Sequence, residues 1–198
     1  MKYLCVYSSS SCIVDKKYFL AAKELGTQMA QKGFGLIFGG GMVGLMGETA
    51  KAVHSHGGQV VGVIPEVLNQ KGIVYDKSDE LIVTTDLRER KSIMDNRAHG
   101  FIALPGGFGT LEELLEIITL KQLRYHNKPI VILNTNNFYD GLIEVFENII
   151  NQDFAKVESR DLYHVAKNIE NALDYIENYI PQEWSAKWLT HAGEKREV

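Results

Sequence analysis

An α/β fold built on a Rossmann-like doubly wound parallel sheet, with helices on both faces, is predicted by three observations. Short apolar runs alternate with segments of helical periodicity along most of the chain. Several runs, FGLIF and PIVIL among them, are apolar at nearly every position, as strands covered on both faces must be. Glycine-rich turns follow two of the runs, at the strand ends where open α/β sheets receive ligands.

KYLCVY reads as the first strand, followed by a helix over residues 16–32, the strand FGLIF, a helix over 45–56 and the strand QVVGVI, which together make a βαβαβ unit. The alternation resumes with ELIVTT at 80–85, a helix over 87–99 and GFIAL at 100–104. A helix after Thr110, PIVIL at 129–133 and a helix over 139–151 complete the regular part. A short YHV strand and a helix over 166–178 close it. The reading is a single nucleotide-binding domain over 1–180 and a polar tail over 181–198, whose Trp184 and Trp188 are spaced to dock together on the body.

With 198 residues and 45% hydrophobic content, the chain can bury a large core. Its 21 basic and 25 acidic residues, net charge −4, contain no basic run, which argues against a nucleic-acid polymer as partner. No apolar stretch approaches the ~18–20 residues of a membrane span, and the start reads as a strand, not a signal peptide; a soluble cytoplasmic protein is expected. Cys5 lies in an apolar strand and Cys12 in a loop, so a disulfide is not expected. Of six histidines only His54 and His56 are closely spaced, and no acidic or thiol ligand pattern accompanies them, so neither metal nor cofactor is called for.

Residues 105–113 read PGGFGTLEE. Gly106, Gly107 and Gly109 let successive backbone N–H groups converge on an anion at the start of a helix, whose dipole also favours negative charge. The candidate cradle comprises Gly106, Gly107, Phe108, Gly109, Thr110, Leu111 and Glu112, with Glu113 one turn inside it. The alternative is local: Thr110-Leu111-Glu112-Glu113 also spells a capping box, in which Thr110 and Glu113 would satisfy each other's amides.

A second glycine loop, GGGMVGLMG at 39–47, contributes Gly40 and Gly41 as ligand contacts. Its Gly39, Gly41 and Gly44 have dinucleotide-loop spacing, with Glu66 as a candidate ribose acid, but the loop follows the second strand instead of the first. In the turn after strand one, Ser8 to Ser11 offer hydroxyls to a sugar or phosphate, Ser10 among them; ordinary solvation is the alternative. In DLRERK, Arg90 and Lys91 stand near a helix start, where cations oppose the dipole, and suggest ligand binding. An Asp86–Arg90 pair at i,i+4 would account for the arginine locally.

In the helix after Thr110, Leu111, Leu114, Leu115 and Ile118 form one apolar stripe, with Ile117 and Leu120 opposite. One face can meet the sheet. The other predicts a homodimer whose interface borders the site, unless both are buried within one subunit.

Taken together, GGGMVGLMG, the Arg90-Lys91 pair followed by Met94, and PGGFGT-x-x-E resemble the LOG (Lonely Guy) family of cytokinin riboside 5′-monophosphate phosphoribohydrolases, over about residues 2–151. The family is also labelled "lysine decarboxylase", although the chain contains no pyridoxal-phosphate lysine motif. The resemblance implies catalytic positions at Arg90 and Glu113, nucleotide-binding positions at Lys91 and 107–113, a further substrate contact at Thr119, and a dimer with sites at the subunit boundary. Two departures bear on base or ribose preference: Gly72 stands where many relatives carry a substrate-contacting glutamate, and Ser8-Ser9-Ser10 where they read C-G-S.

The expected activity is hydrolysis of the N-glycosidic bond of a purine ribonucleoside 5′-monophosphate, of cytokinin type or AMP, to free base and ribose 5-phosphate. A non-catalytic nucleotide or cofactor carrier or sensor is the alternative on the same fold, and a nicotinamide oxidoreductase built on 39–44 is a third reading.

Overall fold

A computed structural model describes residues 1–182; the tail reading, with Trp184 and Trp188, lies outside the described residues. Seven strands form one parallel sheet in the order β4-β3-β2-β1-β5-β6-β7. They are β1 (Lys2–Tyr7), β2 (Phe34–Phe38), β3 (Val60–Pro65), β4 (Glu80–Thr84), β5 (Gly100–Ala103), β6 (Ile130–Leu133) and β7 (His164–Ala166). The helices are α1 (Lys16–Gln31), α2 (Gly44–Ser55), α3 (Leu87–Arg97), α4 (Phe108–Gln122), α5 (Asp140–Asn151) and α6 (Ile169–Glu177).

Strand periodicity divides the core into two layers. Leu4 and Val6 of β1, with Leu36 and Phe38 of β2, pack on Leu25 and Met29 of α1, Val53 of α2 and Leu173 of α6. Cys5 and Tyr7 point the other way, with Ile37 and Phe101, and meet Met94 of α3, Leu114 and Ile117 of α4 and Phe146 of α5. Both faces of the central strands are thereby covered, which explains their unbroken apolar runs. Gly26 lets α1 approach α2 closely: a Cβ there would lie 2.5 Å from the Thr49 carbonyl oxygen.

The chain winds outward from β1 to β4, then returns to place β5 on the opposite side of β1, with Tyr7 abreast of Ala103. The C-terminal ends of β1 and β5 therefore flank the switch point, the usual ligand crevice of such a sheet. Between β3 and β4 the connection is a strap that opens on a single 3-10 turn (Glu66–Leu68) instead of an α-helix. It crosses the second glycine loop, where Tyr75 N donates to Gly40 O at 2.8 Å and Met42 N to Ile73 O at 2.7 Å. His54 ties the strap down through Tyr75 Oη and Asp79 Oδ2, both at 2.9 Å.

Among the described residues no helix is long and apolar enough to cross a membrane. Cys5 is buried and Cys12 exposed, both as free thiols.

Candidate active site

β5 delivers the chain to Pro105 at the switch point, and α4 begins at Phe108 with Gly107 as its N-cap. The capping-box alternative is thereby overturned, because Thr110 lies inside the first turn and not at the cap. Thr110 is buried and packs back on Gly106, where a Cβ would fall 2.1 Å from Thr110 Oγ1. At Gly107 and Gly109 an added Cβ would meet nothing within 4 Å, so those two glycines border open space. Leu111 N donates to Gly107 O at 3.1 Å; the amides before it point out of the helix end, as an anion cradle requires. Phe108 is exposed beside them.

α3 is capped by Asp86, which accepts from the amides of Arg88 and Glu89. With that carboxylate occupied, Arg90 turns inward and the local Asp86–Arg90 pair does not form. Arg90 Nε donates to Val63 O at 3.0 Å and Nη1 to Glu113 Oε1 at 2.8 Å. Nη2 passes over Gly39, where a Cβ would lie 2.1 Å away. One guanidinium thus joins the ends of β2 and β3 to the second turn of α4, and any side chain at Gly39 would displace it.

The Glu113 and Arg90 side chains are both almost wholly buried. Burial pushes the Glu113 carboxyl above its ordinary range, and Arg90 opposes that rise by its charge and its hydrogen bond. The result is a shielded carboxylate beside an arginine at the mouth of an amide cradle, suited to stabilising positive charge on a phosphorylated ligand.

The serine turn closes the third side. Ser9 N donates to Pro105 O at 3.3 Å and Leu45 N to Ser9 O at 2.9 Å, so this turn links both glycine loops. Gly44 has a left-handed φ of 61° and lies so close to this turn that a Cβ would be 2.5 Å from the Ser10 carbonyl carbon. Gly40, with φ of 74°, and Gly41 complete the adjoining loop under the strap. This loop follows β2, one strand away from the switch point, and so lacks the setting of a dinucleotide fingerprint.

Two sequence candidates sit apart from the loop cluster. Lys91 spans the seam between α3 and α4, pairing with Glu112 and, at 2.5 Å, with Glu116. Thr119, about two turns beyond Glu113, donates to Leu115 O at 2.8 Å and lines a groove on the outer face of α4. That groove, about 460 Å³, lies between α4, α5 and the 3-10 turn Val157–Leu162, and is lined by Leu115, Ile118, Phe146, Ile149 and Phe154.

The two predicted stripes of α4 are also redistributed. Thr110, Leu114, Ile117 and Lys121 are buried, whereas Leu115 is 43% exposed and Ile118 half-buried. Packing of Thr110 on Gly106 and pairing of Glu113 with Arg90 fix the helix rotation, so the sheet takes one member from each predicted set. Buried Tyr7 and half-buried Asp95, which sequence reasoning did not single out, are also joined, the tyrosine hydroxyl donating to Asp95 Oδ1 at 3.0 Å. Neither belongs to a motif; only their joint placement reveals them.

A family model described as "Possible lysine decarboxylase" matches residues 46–176. A cytokinin riboside 5′-monophosphate phosphoribohydrolase of Arabidopsis thaliana is 38% identical over 179 residues, covering 90% of this chain and 84% of the relative. One from Oryza sativa subsp. japonica is 38% identical over 179 residues, covering 90% of this chain and 74% of that protein. Among solved structures, the molybdenum cofactor carrier protein of Chlamydomonas reinhardtii matches with a TM-score of 0.68 at 26% identity, covering 89% of this chain and 96% of that one. By the span of the family model and the likeness along nearly its whole described length, the chain belongs to the LOG family, the group that bears the lysine decarboxylase description.

Proposed function

We propose that this protein hydrolyses the N-glycosidic bond of a purine ribonucleoside 5′-monophosphate, releasing the free base and ribose 5-phosphate. The observation that carries the reading is the 2.8 Å Arg90–Glu113 pair at the opening of the α4 amide cradle. Curated relatives named as phosphoribohydrolases support the reaction class.

In this reaction the C1′–N bond breaks with its electron pair passing to the base, and a water oxygen bonds to C1′. One water proton goes to the departing base through solvent, and the other stays on the new hydroxyl. Positive charge develops on C1′ and the ring oxygen, as in glycoside hydrolysis. Glu113 stabilises that charge and accepts a hydrogen bond from the attacking water. Arg90 holds Glu113 in place and orients the ribose phosphate, with Lys91 adding positive charge on the same helix. Amides of 106–110, together with Gly40, Gly41 and Ser10, grip the 5′-phosphate and ribose, so binding energy remote from the reacting bond is converted into alignment.

The functional unit is proposed to be a homodimer. The groove holding Leu115 and Ile149 is the apolar α4 face that the sheet leaves open, and Thr119 lies on it. A second copy seated there would bring the subunit boundary to the helix carrying Glu113, with Thr119 contacting substrate at that boundary.

A carrier reading has its own support in the likeness to the Chlamydomonas carrier protein. Incubation with AMP and with isopentenyladenosine 5′-monophosphate, followed by chromatography, separates the two. Hydrolysis yields adenine or isopentenyladenine; a carrier returns the nucleotide intact.

A further inference from the structure

The first glycine loop leaves the sheet through a peptide plane with a single handle. β5 ends at Ala103, and the peptide unit that follows joins Leu104 to Pro105, both buried. Because proline has no N–H, the Leu104 carbonyl is the one group of that unit through which hydrogen bonding can set its orientation. Tyr139 supplies the donor: its hydroxyl reaches Leu104 O at 2.7 Å. The next carbonyl, Pro105 O, accepts from Ser9 N at 3.3 Å. Two consecutive carbonyls are thus held from two different parts of the fold immediately before Gly106 and Gly107.

Tyr139 is itself built into place. It stands at the N-cap of α5, is 1% exposed, and shares its core layer with Ala103 and Ile132. Asn134, the first residue after β6, accepts from Tyr139 N through Oδ1 and donates from Nδ2 to Asp140 Oδ1, both at 2.7 Å. Between them the 3-10 turn Thr135–Asn137 holds Asn136 and Asn137 at left-handed φ of 53° and 60°, a conformation that asparagine tolerates better than most side chains. The Phe138 ring meets that of Tyr139 edge-on, with centroids 4.9 Å apart. Burial pushes the Tyr139 hydroxyl well up, so it stays a neutral donor. A phenylalanine would fill the same core volume; what the hydroxyl adds is its grip on the stem of the loop.

We propose that Tyr139 is a positioning residue for the phosphate cradle: by fixing the Leu104 carbonyl it sets the plane from which Pro105, Gly106 and Gly107 depart, and so the aim of the amides at the start of α4. The inference rests on the reading of that helix end as the phosphate seat, and not on the hydrolytic step. Donors held in position before the ligand arrives bind it more tightly, because binding then spends nothing on ordering them. Without the hydroxyl, the Leu104 carbonyl is a buried acceptor that has lost its donor, and its peptide plane turns to find another. The phosphate then meets amides that no longer converge.

Tyr139→Phe in the full chain tests this, with two probes: ribose 5-phosphate, which keeps the phosphate and has no base to lose, and adenosine, which keeps the base and lacks the phosphate. Calorimetry at a temperature where wild type and variant are both folded should show the Kd for ribose 5-phosphate raised at least about fivefold, and adenosine affinity within about twofold. Asn134→Ala, which keeps the hydroxyl but loosens the turn that carries it, should weaken ribose 5-phosphate selectively in the same sense, and decides the matter should Tyr139→Phe fail to fold. A hydrogen bond that served folding alone would lower Tm and leave ribose 5-phosphate affinity as in the wild type. That result, or equal weakening of both probes, overturns the proposal. A wild-type protein that binds ribose 5-phosphate but leaves AMP intact refutes the hydrolytic reading alone; one that does not bind ribose 5-phosphate refutes the phosphate seat and this proposal with it.

Discussion

Arg90 Nη1 and Glu113 Oε1 meet at 2.8 Å across the seam between α3 and α4, with only 12% of each side chain exposed. A buried ion pair seldom adds stability over apolar packing, because desolvating both charges offsets most of their attraction. Its place at the switch point, between two glycine loops, is better explained by chemistry than by folding.

Replacing Glu113 with Gln keeps an acceptor for Arg90 but removes the negative charge. Loss of one preorganised charge-stabilising group raises barriers by ~2.7–4 kcal/mol, so kcat for AMP should fall ~10²–10³-fold with nucleotide affinity changed only a few-fold. Steady-state kinetics and calorimetry check this; unchanged turnover refutes the role of Glu113.

Arg90→Ala should behave differently, since it leaves a buried carboxylate without its partner. Loss of about 3–5 kcal/mol of stability is expected together with weaker binding and slower turnover. Chemical denaturation and kinetics read the two effects. A variant with wild-type stability, KM and kcat would reduce Arg90 to a dispensable contact.

The open space at Gly107 and Gly109 gives a cleaner test of the cradle. An alanine methyl at either site meets no protein atom within 4 Å, so the fold should tolerate it. Kd for AMP should nevertheless rise at least about tenfold, because the methyl enters space reserved for phosphate. Wild-type affinity in both variants would move the anion elsewhere. Gly106→Ala, by contrast, should lower Tm, because Thr110 occupies the space its methyl needs.

Asp95 makes a stability prediction independent of turnover. Its folded-state midpoint, about 6, lies above the ordinary 3.8, so the native protein binds this proton more tightly than the unfolded chain does. Ionised Asp95 therefore costs stability above about pH 6, and that cost fades as pH falls from there and is gone below about pH 4. Asp95→Asn should melt higher than wild type at pH 8 and equally at pH 4. A pH-independent difference in melting temperature would contradict this account.

For the dimer, Leu115→Arg or Ile149→Arg places a charge in the α4–α5 groove without touching the loops. Sedimentation velocity at micromolar concentration should show wild-type dimer and variant monomer. A wild-type monomer, or a dimer indifferent to both changes, would remove the groove from the interface.

The sheet was legible because buried parallel strands must be apolar throughout: FGLIF and PIVIL match β2 and β6 to within a residue. Gly106 and Gly107 were legible as the turn into α4, but that helix begins at Phe108, ahead of the expected start after Thr110, so Gly109 lies inside its first turn, and none of the three takes a left-handed φ. Tertiary choices were hidden. Thr110 and Glu113 satisfy the capping-box pattern in sequence, yet Gly106 admits Thr110 and Arg90 claims Glu113, and only the fold brings those partners together. The α4 stripes were misassigned because the same pairings, not hydrophobicity alone, fix the helix rotation. Tyr7 and Asp95 lie 88 residues apart in the chain, and no local pattern joins them.

The proposed chemistry depends on a carboxylate standing beside the anomeric carbon of a nucleotide whose phosphate rests on the α4 amides. A crystal structure of Glu113→Gln with bound AMP tests that placement. Phosphate oxygens are expected on the amides of 107–110, with the substituted side chain at position 113 within about 4 Å of C1′, near attack geometry. A nucleotide bound elsewhere, or a side chain at position 113 folded back onto the Thr110 amide, would contradict it.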